Sequence, residues 1–120
     1  MAGARMRRVD EAMRAVLSDA IAKDLQDPRV GFVTVTGVKT STDLRHARVY
    51  VSVLGDDAAR AASLEGLHAS HGFLQGQIAH SLRLKHTPAL TFEYDPSVDR
   101  GMRISELLDK AAPPAEVEDD

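Results

Sequence analysis

Asp27-Pro28-Arg29-Val30-Gly31-Phe32-Val33-Thr34-Val35-Thr36, followed by Ser41-Thr42-Asp43-Leu44 and then Ala47-Arg48-Val49-Tyr50-Val51-Ser52, sets a helix stop, a turn and two alternating strands in close succession. Pro28 has no amide hydrogen and biases Asp27 away from helical angles, so a helix arriving from the N-terminal side must end near Gln26. Gly31 supplies turn freedom. Val33-Thr34-Val35-Thr36 is a β-branched alternation that predicts a strand running to about Thr40. Ser41-Thr42-Asp43 is turn chemistry. Ala47, Val49, Val51 and Val53 then face one way, and Arg48, Tyr50 and Ser52 the other. That pattern is a half-buried strand of an antiparallel pair, with Arg48 and Tyr50 on its polar face.

Upstream of this run, Val9, Met13, Val16, Leu17, Ala20, Ile21 and Leu25 recur at three- and four-residue steps, which predicts an amphipathic helix over 6–26. Downstream, Gly55 ends the second strand and Asp56-Asp57 offers an N-cap. Leu64, Leu67, His71, Leu74, Ile78 and Leu82 give helical period over 58–82. Gly72 and Gly76 interrupt it, each at a cost of about 1 kcal/mol relative to Ala, and together they predict a kink, a break or a close backbone approach. Pro88 separates this helix from a third strand, Leu90-Thr91-Phe92-Glu93-Tyr94. Ile104, Leu107 and Leu108 could form a last short amphipathic turn. The order helix, strand, strand, broken helix, strand is α+β: a three-stranded sheet with helices packed on one face.

The 120 residues fit one domain, residues 1–110, followed by an acidic tail, residues 111–120, without apolar periodicity and expected to be disordered. Cysteine is absent, which removes disulfides, thiolate nucleophiles and thiolate metal sites from consideration. No run of about 20 apolar residues and no signal-peptide core is present, so no membrane partner is expected and a cytoplasmic protein is. The net charge of −3 argues at first sight against nucleic acid. The tail, however, holds four carboxylates and no base, and residues 1–110 carry 15 Lys+Arg against 14 Asp+Glu. Binding to phosphate follows the local field rather than the total, so the balance neither supports nor excludes RNA.

Several side-chain groups invite chemistry. His68 and His71, three apart on a helix, could begin a metal site, but zinc needs a third and usually a fourth ligand, and only Glu65 is near in sequence. The plainer reading puts His71 at the core edge and His68 in solvent, with no metal. Glu93, Asp95 and Asp99 could pair as acid and base, or simply cap and solvate a turn. No nucleophile elbow and no phosphate loop occurs, and no catalytic residue is assigned. Arg5, Arg7 and Arg8 stand at the start of the first helix, where positive charge opposes the helix dipole. Arg83 and Lys85 follow the broken helix, where the dipole favours them. Ser70-His71-Gly72 marks the break, and a restarted helix presents amide hydrogens that suit phosphate.

Taken in order, Asp-Pro-Arg-Val-Gly at 27–31, Val-Thr-Val-Thr at 33–36, Ser-Thr-Asp-Leu at 41–44, Ala-Arg-Val-Tyr-Val-Ser at 47–52, Gly72-Phe73-Leu74, Arg83-Leu84-Lys85, Pro88-x-Leu90-x-Phe92, Asp95 and Ser97 resemble the ribosome-binding factor A family. The similarity spans residues 5 to about 109. The resemblance implies a KH-like domain of type II, and a monomeric, non-enzymatic factor without cofactor. It implies binding to free 30S small subunits and to 16S rRNA, a part in late processing near the 5′ end of that RNA, and importance for growth in the cold. In the family the helix–kink–helix carries an Ala-x-Gly triplet, and the matching positions here are Ser70, His71 and Gly72. The helix after the kink is often more basic in the family than Gln75, Gln77 and His80 make it here, which shifts weight to the N-terminal arginines. The expected RNA-binding residues are therefore Arg5, Arg7, Arg8, Arg45, Ser70, His71, Gly72, Arg83 and Lys85. Two rivals stand beside this reading: a dimerising or ligand-binding α+β domain using Arg48 and Tyr50 on the open sheet face, and a metal-dependent hydrolase resting on the histidines.

Overall fold

The structure is a computed structural model that describes residues 2–97. The expected last turn at 104–108, the tail 111–120 and Asp99 lie outside the described residues.

Three helices and three strands follow the expected order: α1 (Ala2–Lys23), β1 (Val33–Thr40), β2 (His46–Val53), α2 (Asp57–Ala69), α3 (His71–Ser81) and β3 (Ala89–Tyr94). Helix α1 starts earlier than its apolar stripe because Ala2, Ala4, Arg5 and Met6 are good helix formers that need no buried face. It also stops earlier than Gln26. The Ala20 carbonyl accepts from both Asp24 N (2.9 Å) and Leu25 N (3.0 Å), which closes the last turn, and Leu25 packs against the core instead of continuing the helix.

The sheet order is β1-β2-β3. Strands β1 and β2 are antiparallel from Val33↔Val53 to Thr40↔Ala47, with a bulge between Val35 and Gly37 that leaves Thr36 as the extra residue. Strand β3 runs parallel to β2, from His46↔Ala89 to Val51↔Tyr94. A parallel partner needs a crossover of helical length, which α2 and α3 supply. Gly55, at φ 132°, begins that crossover, in a conformation that L side chains rarely adopt. The Asp56 side chain then caps α2 by accepting from Ala59 N at 2.9 Å.

All three helices lie on one face of the sheet, α1 over β1 and α2 and α3 over β3. Met13, Leu17, Leu67, Leu74, Ile78, Val49 and Val51 are fully buried between the layers. Burying a side chain of that kind is worth about 1.5–3 kcal/mol. The other face is open: Lys39, His46, Arg48, Ala89 and Thr91 are exposed and Tyr50 is half-exposed.

The helical break falls on Ser70 alone (φ −98°, ψ 10°), whose amide donates to the Gly66 and Leu67 carbonyls while its carbonyl accepts from Leu74. Gly72 and Gly76 lie inside α3, and a Cβ added to either meets nothing within 4 Å. The close approach comes at Gly66, where an added Cβ would stand 2.7 Å from Val30 Cγ2, 3.2 Å from Arg29 Cβ and 3.3 Å from Asp27 Cγ. Next to it, buried Ser63 accepts from Gly31 N at 3.1 Å and donates to the Arg29 carbonyl at 3.4 Å. Segment 27–31 is thus seated on α2.

Candidate nucleic-acid interface

The end of the domain where β1 finishes and β2 and β3 begin collects most of the expected basic residues. The Asp10 carboxylate accepts from Thr40 N at 3.0 Å, which fixes the first turns of α1, with Arg5, Arg7 and Arg8, beside the end of β1. The β1–β2 turn is built on Asp43, whose carboxylate accepts from the Ser41 hydroxyl (2.7 Å) and from Arg45 N (3.0 Å). Those bonds, the hydroxyl first, hold the Asp43 carboxyl below its ordinary pKa. Leu44 completes the turn at φ 61°, and Arg45 projects exposed from it. The Arg45 carbonyl accepts from Ala89 N at 2.8 Å. The segment carrying Arg83 and Lys85 is clamped at both ends: Leu82 N donates to the Ile78 carbonyl (2.8 Å) and the Gln75 side chain to the Pro88 carbonyl (2.9 Å). Residues separated by some eighty positions in sequence therefore share one end of the fold.

Pairing separates these cations from the rest. Arg14 pairs with Glu11, Lys23 with Asp19, Arg29 with Asp27 and Glu65, Arg48 with Glu93, and Arg60 with Asp57. Among the described residues, Arg5, Arg7, Arg8, Arg45, Arg83 and Lys85 have no carboxylate within ion-pair distance, and neither does Lys39. Lys39 adjoins Thr40 at the same end and faces Arg48 across the β1–β2 ladder. Sequence reading missed it because one lysine in an alternating strand carries no signal until the register is known.

Ser70, His71 and Gly72 lie elsewhere, toward the C-terminal end of α1. A surface groove of about 520 Å³ there is lined by Leu25, Gln26, Asp27, Pro28, Arg29 and Ser70. Its charges are matched. Arg29 holds Asp27 through contacts of 2.8 and 3.1 Å, and the Asp27 carboxylate also accepts from Arg29 N at 2.9 Å. The guanidinium contact, then the amide, lowers the Asp27 pKa from 3.8 to about 2. The structure thus divides the expected site residues between an unpaired basic end and an internally neutralised kink.

The groups considered for other chemistry have structural partners. His68 Nε2 accepts from Phe92 N at 3.2 Å, and its ring meets Phe92 edge-on at a centroid distance of 5.7 Å. It plugs an amide on the free edge of β3. Both histidines are exposed: His68 is on the surface as expected although its ring packs on Phe92, whereas His71, expected at the core edge, is in solvent with Nδ1 2.8 Å from the His68 carbonyl. Among the described residues no group of three or more His, Asp or Glu could hold a metal ion. Asp95 accepts from Thr36 Oγ1 (2.7 Å) and Ser97 N (2.9 Å), so it organises a turn. No helix of the described residues is long and apolar enough to cross a membrane.

Residues 5–108 match the family model for ribosome-binding factor A. A ribosome-binding factor A from Anaeromyxobacter sp. (strain Fw109-5) is 55% identical over 108 residues, covering 89% of this chain and 88% of that one. The solution structure of a Thermotoga maritima protein described as a putative ribosome-binding factor A superposes with a TM-score of 0.67 at 29% identity, over 95% of this chain and 94% of the other. A homology model of the Thermus thermophilus factor, fitted into a cryo-EM map of its complex with the 30S subunit, gives a TM-score of 0.61 at 25% identity, over 72% and 91% of the two chains.

Proposed function

The chain belongs to the ribosome-binding factor A family, and on that premise we propose that it is an assembly factor of the small ribosomal subunit, binding free 30S particles through 16S rRNA. The reading extends to late maturation of 16S rRNA near its 5′ end, to importance in the cold, and to a cytoplasmic monomer that works without cofactor or chemistry. The observation that carries the RNA contact is the unpaired basic end. A cation without a partner in the fold contributes little to stability, and its field is free to act on phosphate. Arg5, Arg7, Arg8, Arg45, Arg83 and Lys85 neutralise phosphates. Ser70, His71 and Gly72 add the amide end of α3 as a second contact.

The test is binding of purified 30S subunits as a function of salt. Each phosphate contact to a single strand should contribute about −0.7 to the log–log slope. Replacing Arg5, Arg7 and Arg8 together by Gln should flatten the slope by roughly two units and weaken binding at least about tenfold at moderate salt, with the melting temperature unchanged. A salt-independent affinity, or loss of the fold in the variant, would remove the basic end from the interface.

A further inference from the structure

We propose that the open face of the sheet is a second single-stranded RNA surface, with Tyr50 as a platform for one base and Lys39 and Arg48 for the flanking phosphates. The inference rests on the RNA-binding reading above and extends it to a face that the basic end and the helix kink do not include.

Three observations carry it. First, the register sets Lys39, Arg48 and Thr91 in one row across the outer face and Gly37, Tyr50 and Glu93 in the next. Second, the place beside Tyr50 on β1 is vacant. Its partner there is Gly37, and a Cβ built on Gly37 meets nothing within 4 Å. The half-exposed tyrosine therefore has a slot on one side, at a bulge where β1 bends. Third, the charge is continuous. Lys39, with no carboxylate at ion-pair distance among the described residues, joins the basic end through Thr40, whose amide bonds Asp10, and the Arg48 side chain, 64% exposed, stands 3.7 Å from Glu93 and donates to the Tyr50 hydroxyl at 3.5 Å, which sets its guanidinium beside the ring. Glu93 faces the opposite side of Tyr50, so a strand carrying phosphate is steered to the Lys39–Gly37 side.

An exposed aromatic on a sheet, with cations beside it and open space against its side, is the arrangement that takes unstacked bases. Duplex RNA keeps its bases paired and cannot use it. The occupant is accordingly single-stranded RNA, read by stacking rather than by sequence.

The experiment titrates the full chain with a short single-stranded RNA oligonucleotide of mixed sequence and with a duplex of equal length. Tyr50→Val keeps strand propensity and removes the ring, and should weaken single-strand binding about tenfold or more while leaving the duplex unaffected. Tyr50→Phe should bind as the wild type does. Gly37→Thr fills the slot from the β1 side without touching Tyr50, and should reproduce the loss with an unchanged melting temperature. Wild-type affinity in Tyr50→Val and Gly37→Thr, or equal losses for single strand and duplex, would overturn the proposal. So would a concentration-dependent sedimentation coefficient abolished by these substitutions, because the face would then join two copies of the chain. If 30S binding is retained while the sheet variants are silent, only this inference fails. If the wild type binds neither subunits nor RNA, the reading beneath it fails as well.

Discussion

The kink region and the basic end are both rich in charge, and they use it in opposite ways. Around the kink, Asp27 and Arg29 hold each other, Glu65 lies 3.9 Å from the same guanidinium, and Ser63 and Gly66 accept the loop 27–31 against α2. At the other end, Arg5, Arg7, Arg8, Arg45, Arg83 and Lys85 stand without ion pairs among the described residues. One region spends its polar groups on the fold, and the other leaves its cations without ion pairs, which is why we propose it as the side that meets RNA. Most letters of the Asp-Pro-Arg-Val-Gly run that identify the family belong to the first kind, so the motif marks kinship better than it marks the site.

The largest stability effect should come from the kink side, at Gly66. In Gly66→Ala the new methyl stands 2.7 Å from Val30 Cγ2 with Arg29 and Asp27 close behind, so the loop must lift from α2. Overpacking of this kind costs typically 1–3 kcal/mol, against about 1 kcal/mol gained in helix propensity. Chemical denaturation should therefore show a net loss of about 1 kcal/mol, and 30S affinity should change no further than the folded fraction does. A neutral or stabilising Gly66→Ala would mean that the loop is not seated as described, and would blur the contrast between the two regions.

Gly76→Ala should move stability the other way by a smaller amount. The position is helical and its side is open, so the substitution should add about 0.5–1 kcal/mol by the ordinary cost of glycine in a helix. Measured together, the two substitutions have opposite expected signs although both replace a glycine in the same helix–kink–helix. Equal signs would show that helix propensity, not contact, governs this part of the molecule.

That pair also shows what the sequence could and could not disclose. Valine alternation over 47–53, the proline at 28 and the apolar stripe of α1 state their structure locally, and the helices, the β1–β2 pair and the single covered face were legible from them. The parallel alignment of β3, the bulge at Thr36 and the edge plug by His68 depend on partners far along the chain, and no local pattern encodes them. Gly66 went unnoticed for the same reason. Its role is set by Val30, thirty-six positions earlier, whereas Gly72 and Gly76 attracted notice by a local cost and touch nothing. The cations were visible one by one, but their convergence, and Lys39 among them, needed the sheet register.

The smallest effect, and the most specific one, concerns the Asp27–Arg29 pair. The folded-state pKa of Asp27 is lowered from 3.8 to about 2 by the Arg29 side chain and amide. A depressed carboxyl stabilises the fold above its unfolded-state value and loses that contribution as pH falls through the folded one. Asp27→Asn should therefore be less stable than the wild type at pH 7. The difference should persist down to about pH 4, shrink as pH falls toward 2 and vanish only below it, where the wild-type carboxyl is protonated too. Urea unfolding of both proteins across that range reads it directly. The pair is partly solvent-exposed, so the difference should be modest. Its decline over the interval 3.8 to 2, rather than its size, is the signature that this charge is committed to the fold. An Asn variant as stable as the wild type at neutral pH would instead count Asp27 and Arg29 among the groups left free for a partner, and the kink would join the basic end as a second charged surface.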